Sequence, residues 1–480
     1  MLRKIRQTKI VFTLGPASSR EDMLVKLIES GVDVCRFNMA HASHDYFREA
    51  IANVRNCCRR AGRHIAMMMD VKGPEIRTRD LLAPIDLQVG DLVEFTYLPS
   101  IDDSLAPNGK DGVIHVGVNY PNFVNDLSVG TTLLVDSGLI RMEVEELTPV
   151  AARCRVQVPG LLGSRRHINL PGVKVNMPAL TEKDLGDVQV GAEEGVDLFA
   201  LSFVRQADDI VQLRSLLKKL GSKAGIISKI EDQSGVENLE EIVKAGDGLM
   251  VARGDLGIEV PFEQLPIFQR RAVEASLNAG KPVIIATHML ESMIQSPVPT
   301  RAEITDVSNA VRELADCVML SGETTVGKFP DRCVDALNRI IFSLQNERDS
   351  QLNMRLNLTT PKEKMLRSAV LLAEEIGSAA IMVFTRSGDL ARLLSALRPN
   401  GCPIFAFTDV ETTFNRMLML WGVEPFLVQF QQDPEQTILD AFTLLKDKHW
   451  AEPGDQVVIV TNVIGTAAKI IDSMQVRAVQ

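Results

Sequence analysis

Apolar residues in this chain gather into short continuous runs, and between the runs they recur every three to four positions. Residues 8–13 read T-K-I-V-F-T, Gly15-Pro16 follows, and a helix-period segment occupies 21–30. The same alternation returns at 34–38 and 65–70, with a helical pattern over 46–61 between them. A short apolar run bounded by turn residues predicts a strand buried on both faces, and the intervening period predicts a covering helix.

After Asp70 the rhythm changes to short alternating stretches rich in Val, Gly and Pro. The runs 87–89, 92–95, 140–144 and 154–158 place an apolar residue at every second position, which predicts half-buried antiparallel strands. Residues 73–173 are therefore expected to form a small all-β barrel domain inserted in a loop. The first rhythm resumes at 198–202, 225–230, 248–252, 283–287 and 317–321, giving eight strand runs in all. Without a Rossmann glycine fingerprint, eight alternating units favour an α/β fold of the (β/α)8 TIM-barrel type over a doubly wound sheet. The barrel is assigned to 1–72 and 174–345. Thr300 and Glu303 form a T-x-x-E capping box that opens the helix before the eighth strand. A polar stretch over 345–361 leads to further strand runs at 380–385, 404–408, 426–429 and 457–461, predicting a C-terminal α/β domain, 346–480, with a mainly parallel sheet.

Composition narrows the function. A formal charge of −10, with no basic stretch beyond Arg3-Lys4-Ile5-Arg6, argues against nucleic acid as a partner. Seven cysteines, none spaced C-x-x-C, read as buried thiols in a reducing cytoplasm rather than as a zinc or disulfide framework. No 18-residue apolar stretch and no signal-peptide core are present, so neither membrane insertion nor secretion is expected.

In a (β/α)8 barrel, chemistry sits at the C-terminal strand ends. Those ends supply Arg36 with Asn38, Asp70, Ser202, Lys229 with Glu231, Asp255, Thr287 and Ser321. Each alone has a structural explanation: Ser202 as a turn or cap residue, Lys229 with Glu231 as an ion pair. Converging on one rim, they imply a site. Glu231 and Asp255 are hard oxygen ligands suited to Mg²⁺ or Mn²⁺ shared with a substrate phosphate. Lys229 and Arg36 carry the charge to stabilise a transferring phosphoryl group, and the lack of G-x-x-x-x-G-K-[ST] excludes a P-loop. Thr287 and Ser321 are candidates for binding a carboxylate or relaying a proton. Met67, Met68 and Met69 read as strand core, Arg59-Arg60 as a solvated helix face, and His288 as a packing residue.

The motifs T-K-I-V-F-T-L-G-P-A, R-F-N-M-A-H, D-V-K-G-P-E-I-R, I-N-L-P-G, L-T-E-K-D, S-K-I-E-D, V-A-R-G-D-L-G-I-E, A-T-H-M-L-E-S-M, P-T-R-A-E and M-L-S-G-E-T follow one another along the chain. In this order the chain resembles the pyruvate kinase family over nearly its whole length. The resemblance implies phosphoryl transfer from phosphoenolpyruvate to ADP, giving pyruvate and ATP at the end of glycolysis, in a cytoplasmic homotetramer. It implies that Lys229 stabilises the transferring phosphoryl group, Arg36 holds it, and Glu231 with Asp255 bind the enzyme's Mg²⁺. Thr287, Gly254 and Asp255 would hold the substrate carboxylate, with Ser321 and Thr287 on the route of enolate protonation. Asn38, His41, Arg77 and Arg166 would meet the nucleotide, Arg166 standing where the family usually has Lys.

Two departures bear on function. The family's R-x-N-F-S-H-G reads R-F-N-M-A-H-A here, so Ala40 replaces a serine that helps bind K⁺; Asn38, Asp70 and the Val71 carbonyl remain as ligands, and Glu75 still implies a monovalent-cation requirement. In the C-terminal domain the effector-loop pattern T-x-S-G-x-[ST] reads T-R-S-G-D-L, and the late loop after Thr461 is short. Asp389 and Leu390 predict loss of the usual fructose 1,6-bisphosphate response. The rival readings are a weak, regulatory paralogue, to which Ala40, Ala42 and Val71 point, and another Mg-dependent barrel enzyme of phosphoenolpyruvate or pyruvate.

Overall fold

The computed structural model describes residues 5–40, 42–98, 112–345, 347, 350–464 and 470–480. Eight parallel strands close a barrel in sequential order: β1 (Lys9–Thr13), β2 (Val34–Asn38), β3 (Ala66–Val71), β4 (Leu198–Leu201), β5 (Gly225–Ile230), β6 (Gly248–Ala252), β7 (Val283–Ala286) and β8 (Cys317–Leu320). Every expected barrel strand is present within a residue or so. Strand residues alternate between barrel interior and helical shell. Met68 points inward beside Val11, Val34, Ala200, Ile227, Met250 and Ile284, whereas Met67 and Met69 join the core under the helices. The Thr300–Glu303 capping box is also present, opening the helix Arg301–Arg312.

Between β3 and β4, ahead of the helix Glu182–Glu193, the described residues of the inserted segment are all-β apart from one short helix, Phe123–Asp126. It holds a six-stranded sheet and a two-stranded ribbon. Among the described residues no full strand closes the large sheet; residues 76–79 bridge its two edges, Thr78 pairing with Val118 on one side and Arg77 with His167 on the other. This is a barrel-like curl with its own core around Phe95, Phe123 and Met142. The run expected at 87–89 shifts to Ile85–Leu87 because Gln88 to Asp91 is a turn, with the Asp91 carboxylate accepting from the Gln88 amide at 2.8 Å.

The C-terminal sheet contains β9 (Ala380–Phe384), β10 (Ile404–Thr408), β11 (Val423–Leu427), β12 (Gln456–Ile464) and β13 (Ile470–Ala478), in the order β11-β10-β9-β12-β13. All pairs are parallel except β12 with β13. This unit also completes the barrel core, since Phe414, Leu418 and Met419 pack against its inward-facing residues.

Candidate functional site

Period-two alternation decides which side chains reach the barrel mouth. On β5, inward Ile227 is followed two residues later by Lys229 and two later again by Glu231; on β3, Met68 leads to Asp70; on β2, Val34 leads to Arg36 and Asn38. β2 and β3 pair Asn38 with Asp70, and β4 sets Ala200 beside Asp70, so Ser202 follows on the same rim.

These residues form one bonded cluster. Lys229 Nζ donates to Ser202 Oγ at 2.7 Å and to Asp70 Oδ1 at 3.1 Å, and lies 3.0 Å from Glu231 Oε1. Arg36 Nε donates to Asp70 Oδ2 at 2.6 Å, and its Nη1 to Thr13 Oγ1 at 3.1 Å. Ser202 Oγ donates to the Val71 carbonyl at 2.7 Å, and Glu231 Oε2 accepts from the Phe203 amide at 2.7 Å. Lys229, Asp70 and Glu231 are all buried. Burial opposes charge on Asp70, but Arg36 and Lys229 outweigh it and hold the carboxyl below its usual range. Burial likewise opposes the Lys229 ammonium, and Asp70 with Glu231 reverse the balance and raise it. Burial pushes Glu231 up to about 7, repulsion from Asp255 and Asp70 adding to it and Lys229 opposing it.

Asp255 lies in the first turn of the helix Arg253–Glu259, which starts directly after β6. Thr287 Oγ1 accepts from the Gly254 amide at 2.7 Å, so the ends of β6 and β7 are locked together. Thr287 and His288 have φ of 68° and 54°, an unfavourable region for a β-branched side chain that its surroundings must enforce. Ser321 closes the rim, its buried hydroxyl without a hydrogen-bond partner among the described residues. Asn38 Oδ1 accepts from the Ala40 amide at 3.1 Å.

Of the nucleotide candidates, Asn38 lies on the rim beside Asp70, whereas Arg77 and Arg166 lie in the inserted segment. Arg77 Nε donates to Glu75 Oε2 at 2.6 Å, and Arg166 Nη1 lies 3.2 Å from Asp136 Oδ1, both at the base of the inserted domain. Glu75 also lies 3.2 Å from Lys72 Nζ. His41 falls outside the described residues. Half-buried His167 connects the two regions, its ring edge-on to Phe203 at 6.0 Å. Beside this junction a cleft of about 810 Å³ is lined by the return segment, including Asn169 and Val175, and by Phe203, Arg205 and Glu259. It flanks the Lys229 cluster without including it.

Sequence reasoning did not single out two supports, Arg253 and Glu323, and named a third, Ser202, without its partner. Arg253 is buried and donates to Asp306 at 2.7 Å and to the Thr287 carbonyl at 2.6 Å, so it holds the strained turn. Fully buried Glu323 accepts from the Ser321 amide at 2.7 Å and the Leu290 amide at 2.9 Å, spanning the loops after β7 and β8. Ser202, read at first as a possible cap, is a direct partner of Lys229. The only signals for the first two were charges just past a strand end.

A divalent cation suits the donor set. Asp70 and Glu231 flank the Lys229 ammonium, Asp70 also meets the Arg36 guanidinium, and Asp255 is close enough to Glu231 to add to the rise that burial causes there. Among the described residues no group of three His, Cys, Asp or Glu forms a complete metal cage. Two carboxylates with substrate and water completing the shell is the arrangement Mg²⁺ prefers.

The family model "Pyruvate kinase, barrel domain" matches residues 5–334, and "Pyruvate kinase, alpha/beta domain" matches 363–477. The chain is 38% identical to a pyruvate kinase of Dictyostelium discoideum over 98% of this chain and 94% of the relative. It is 40% identical to a pyruvate kinase of Geobacillus stearothermophilus, over 87% of this chain and 71% of that one. Against the plastidial pyruvate kinase 3 of Arabidopsis thaliana the identity is also 40%, over 95% and 78%. The closed eight-strand barrel, the inserted sheet and the C-terminal α/β unit agree with these matches, and the chain belongs to the pyruvate kinase family.

Proposed function

We propose that the chain transfers the phosphoryl group of phosphoenolpyruvate to ADP, giving pyruvate and ATP, at the mouth of the barrel. The buried cluster of Lys229, Arg36, Asp70, Ser202 and Glu231 carries this reading. Lys229 stays charged and, with Arg36, faces the transferring group, where positioning and electrostatics supply most of the catalysis. Asp70 and Ser202 fix the ammonium. The Gly254 and Asp255 amides with Thr287 orient the substrate carboxylate, and Ser321 and Thr287 offer hydroxyls for moving a proton to the enolate carbon. Glu231 and Asp255 would hold Mg²⁺ or Mn²⁺, which when bound neutralises phosphoryl charge. Asn38, Arg77, Arg166 and His41 are assigned to the nucleotide.

Asn38, Asp70 and the Val71 carbonyl are assigned to K⁺. All three oxygens already accept hydrogen bonds, and Ala40 contributes no hydroxyl, so a K⁺ requirement with weakened affinity is expected. In the C-terminal loop the polar groups are engaged internally. Thr385 Oγ1 accepts from the Gly388 amide at 3.0 Å, Ser387 Oγ donates to Asp389 at 2.9 Å, and Arg386 pairs with Asp409. This supports the absence of a fructose 1,6-bisphosphate response; the short late loop inferred after Thr461 includes residues 465–469, outside the described residues.

The barrel assignment of 1–72 and 174–345, the insert of 73–173 and the C-terminal domain of 346–480 are kept as the working division. A cytoplasmic homotetramer acting in glycolysis completes the proposal. Seven free buried cysteines fit a reducing compartment, and exposed Phe262 and Ile267 beside the helix after β6 fit a face covered by another copy. Among the described residues no helix is long and apolar enough to cross a membrane. ADP-dependent pyruvate formation, measured with and without K⁺ and with fructose 1,6-bisphosphate, tests the reading. No turnover would leave the weak-paralogue alternative, full activity without K⁺ would overturn the cation assignment, and activation by the bisphosphate would overturn the effector argument.

A further inference from the structure

The L-T-E-K-D motif has no role in the chemistry above, yet it begins the helix Glu182–Glu193, which leads the chain back from the inserted domain into the barrel shell. Thr181 and Asp184 cap it reciprocally. Asp184 does more than cap: its Oδ1 accepts from the Gly73 amide at 3.1 Å, at the point where the chain leaves β3 for the inserted domain. Lys183, one residue earlier, points the other way. Its Nζ donates to the Met39 carbonyl at 2.8 Å and to Asp187 Oδ2 at 2.6 Å.

Asp187 is fully buried and is also bonded, through Oδ1, to His44 Nε2 at 2.8 Å. His44 opens the helix His44–Ala61 that follows the Asn38–Ala40 turn. Met39 is thus held from both sides, its amide by the Asp70 carbonyl at 2.9 Å and its carbonyl by Lys183. In the same turn Asn38 Oδ1 accepts from the Ala40 amide at 3.1 Å.

We propose that Lys183 is a positioning residue for the Asn38–Ala40 corner, acting through the Met39 carbonyl and anchored by Asp187 and His44. This rests on the reading that Asn38 serves K⁺ and the nucleotide. With Ala40 lacking a hydroxyl, the corner depends on the placement of its remaining oxygens, and Lys183 fixes that placement. The neighbouring bond from Gly73 to Asp184 makes one helical turn the common support of this corner and of the root of the inserted domain.

The test compares wild type, Lys183→Met and Lys183→Arg in the full-length enzyme. For Lys183→Met, the K⁺ concentration for half-activation and the KM for ADP should each rise about fivefold, a loss in keeping with a half-exposed charged hydrogen bond. The KM for phosphoenolpyruvate should stay within about twofold, since this lysine makes no bond to the Lys229 cluster. Lys183→Arg should restore most of the loss. Amide hydrogen exchange over residues 37–42, followed by mass spectrometry, should accelerate in Lys183→Met and not in Lys183→Arg. Unchanged K⁺ and ADP responses in an active variant overturn the proposal, as does a uniform loss of all parameters in step with the thermal midpoint. If wild type itself makes no pyruvate, the functional reading fails, and the exchange experiment still decides whether Lys183 holds the corner.

Discussion

Replacing Lys229 with methionine keeps the length of the side chain and removes its charge from between two buried carboxylates. Nζ lies 3.1 Å from Asp70 and 3.0 Å from Glu231. At an effective dielectric near 20, each contact is worth about 5 kcal/mol before desolvation. Desolvation cancels much of that, so removing one member of such a buried set costs about 3–5 kcal/mol of stability. The catalytic loss is separate: deleting a donor aimed at developing charge lowers kcat by about 10²–10³. Phosphoryl transfer depends almost wholly on such groups, which places the expected loss at the upper end of that range or beyond. Pyruvate formation in an ADP-dependent coupled assay gives kcat, and thermal denaturation gives stability. Adding Glu231→Gln to Lys229→Met should recover part of the stability, because one unpaired carboxylate is removed, and none of the activity. A single mutant within tenfold of wild-type kcat would refute the catalytic role, and a double mutant no more stable than the single would refute the electrostatic account.

Glu259→Gln tests a second buried acid. Burial pushes Glu259 up to about 7, above its unfolded value of 4.5, so the fold prefers the neutral form and loses stability as pH rises between those values. The variant keeps an acceptor for Asn169 and should match wild type at pH 5 and exceed it at pH 8, by at most about 3 kcal/mol, in denaturant titrations at each pH. Asp33 shows the opposite sign: burial opposes its charge, but Arg6, Lys9 and Arg63 hold its pKa below the unfolded value. Its contribution is present above the unfolded pKa and is lost as pH falls through the folded one. Asp33→Asn should therefore cost about 3–5 kcal/mol at pH 7, with the gap to wild type closing in acid. Thr287→Val removes the acceptor for the Gly254 amide and should raise the KM for phosphoenolpyruvate about tenfold, whereas Thr287→Ser should stay near wild type in the same assay.

The barrel and most of its rim were legible in the sequence because both follow from local periodicity. A continuous apolar run names a strand, and its inward residues, continued by two, name the side chains at the mouth: Met68 gives Asp70, and Ile227 gives Lys229 and Glu231. What escaped depends on partners distant in sequence or on edge positions. Arg253 and Glu323 are charges whose partners, Asp306 and the Leu290 amide, no spacing rule links to them. The positive φ of Thr287 belongs to a residue type that local propensity would never place there. The run expected at 426–429 begins earlier, at Val423, because β11 is an edge strand and tolerates Pro425. β13 was missed because it joins antiparallel at the other edge, with exposed Met474 and Val476 alternating with polar residues instead of forming a continuous run.

The inserted segment and the Lys229 cluster are joined through Ser202. Gly73, the second residue past β3 and the root of that segment, has φ +72°, and a Cβ there would lie 2.8 Å from Ser202 Cβ. Only glycine lets the chain turn away at this point while touching the cluster. Ser202 donates to the Val71 carbonyl, two residues before that turn, and accepts from Lys229. The turn at Gly73 therefore lies directly against the residue whose hydroxyl fixes the Lys229 ammonium. Asp184 restrains the same glycine from the opposite side, through its amide. The root of the inserted segment and the Lys229 ammonium are thus tied to one short stretch of backbone.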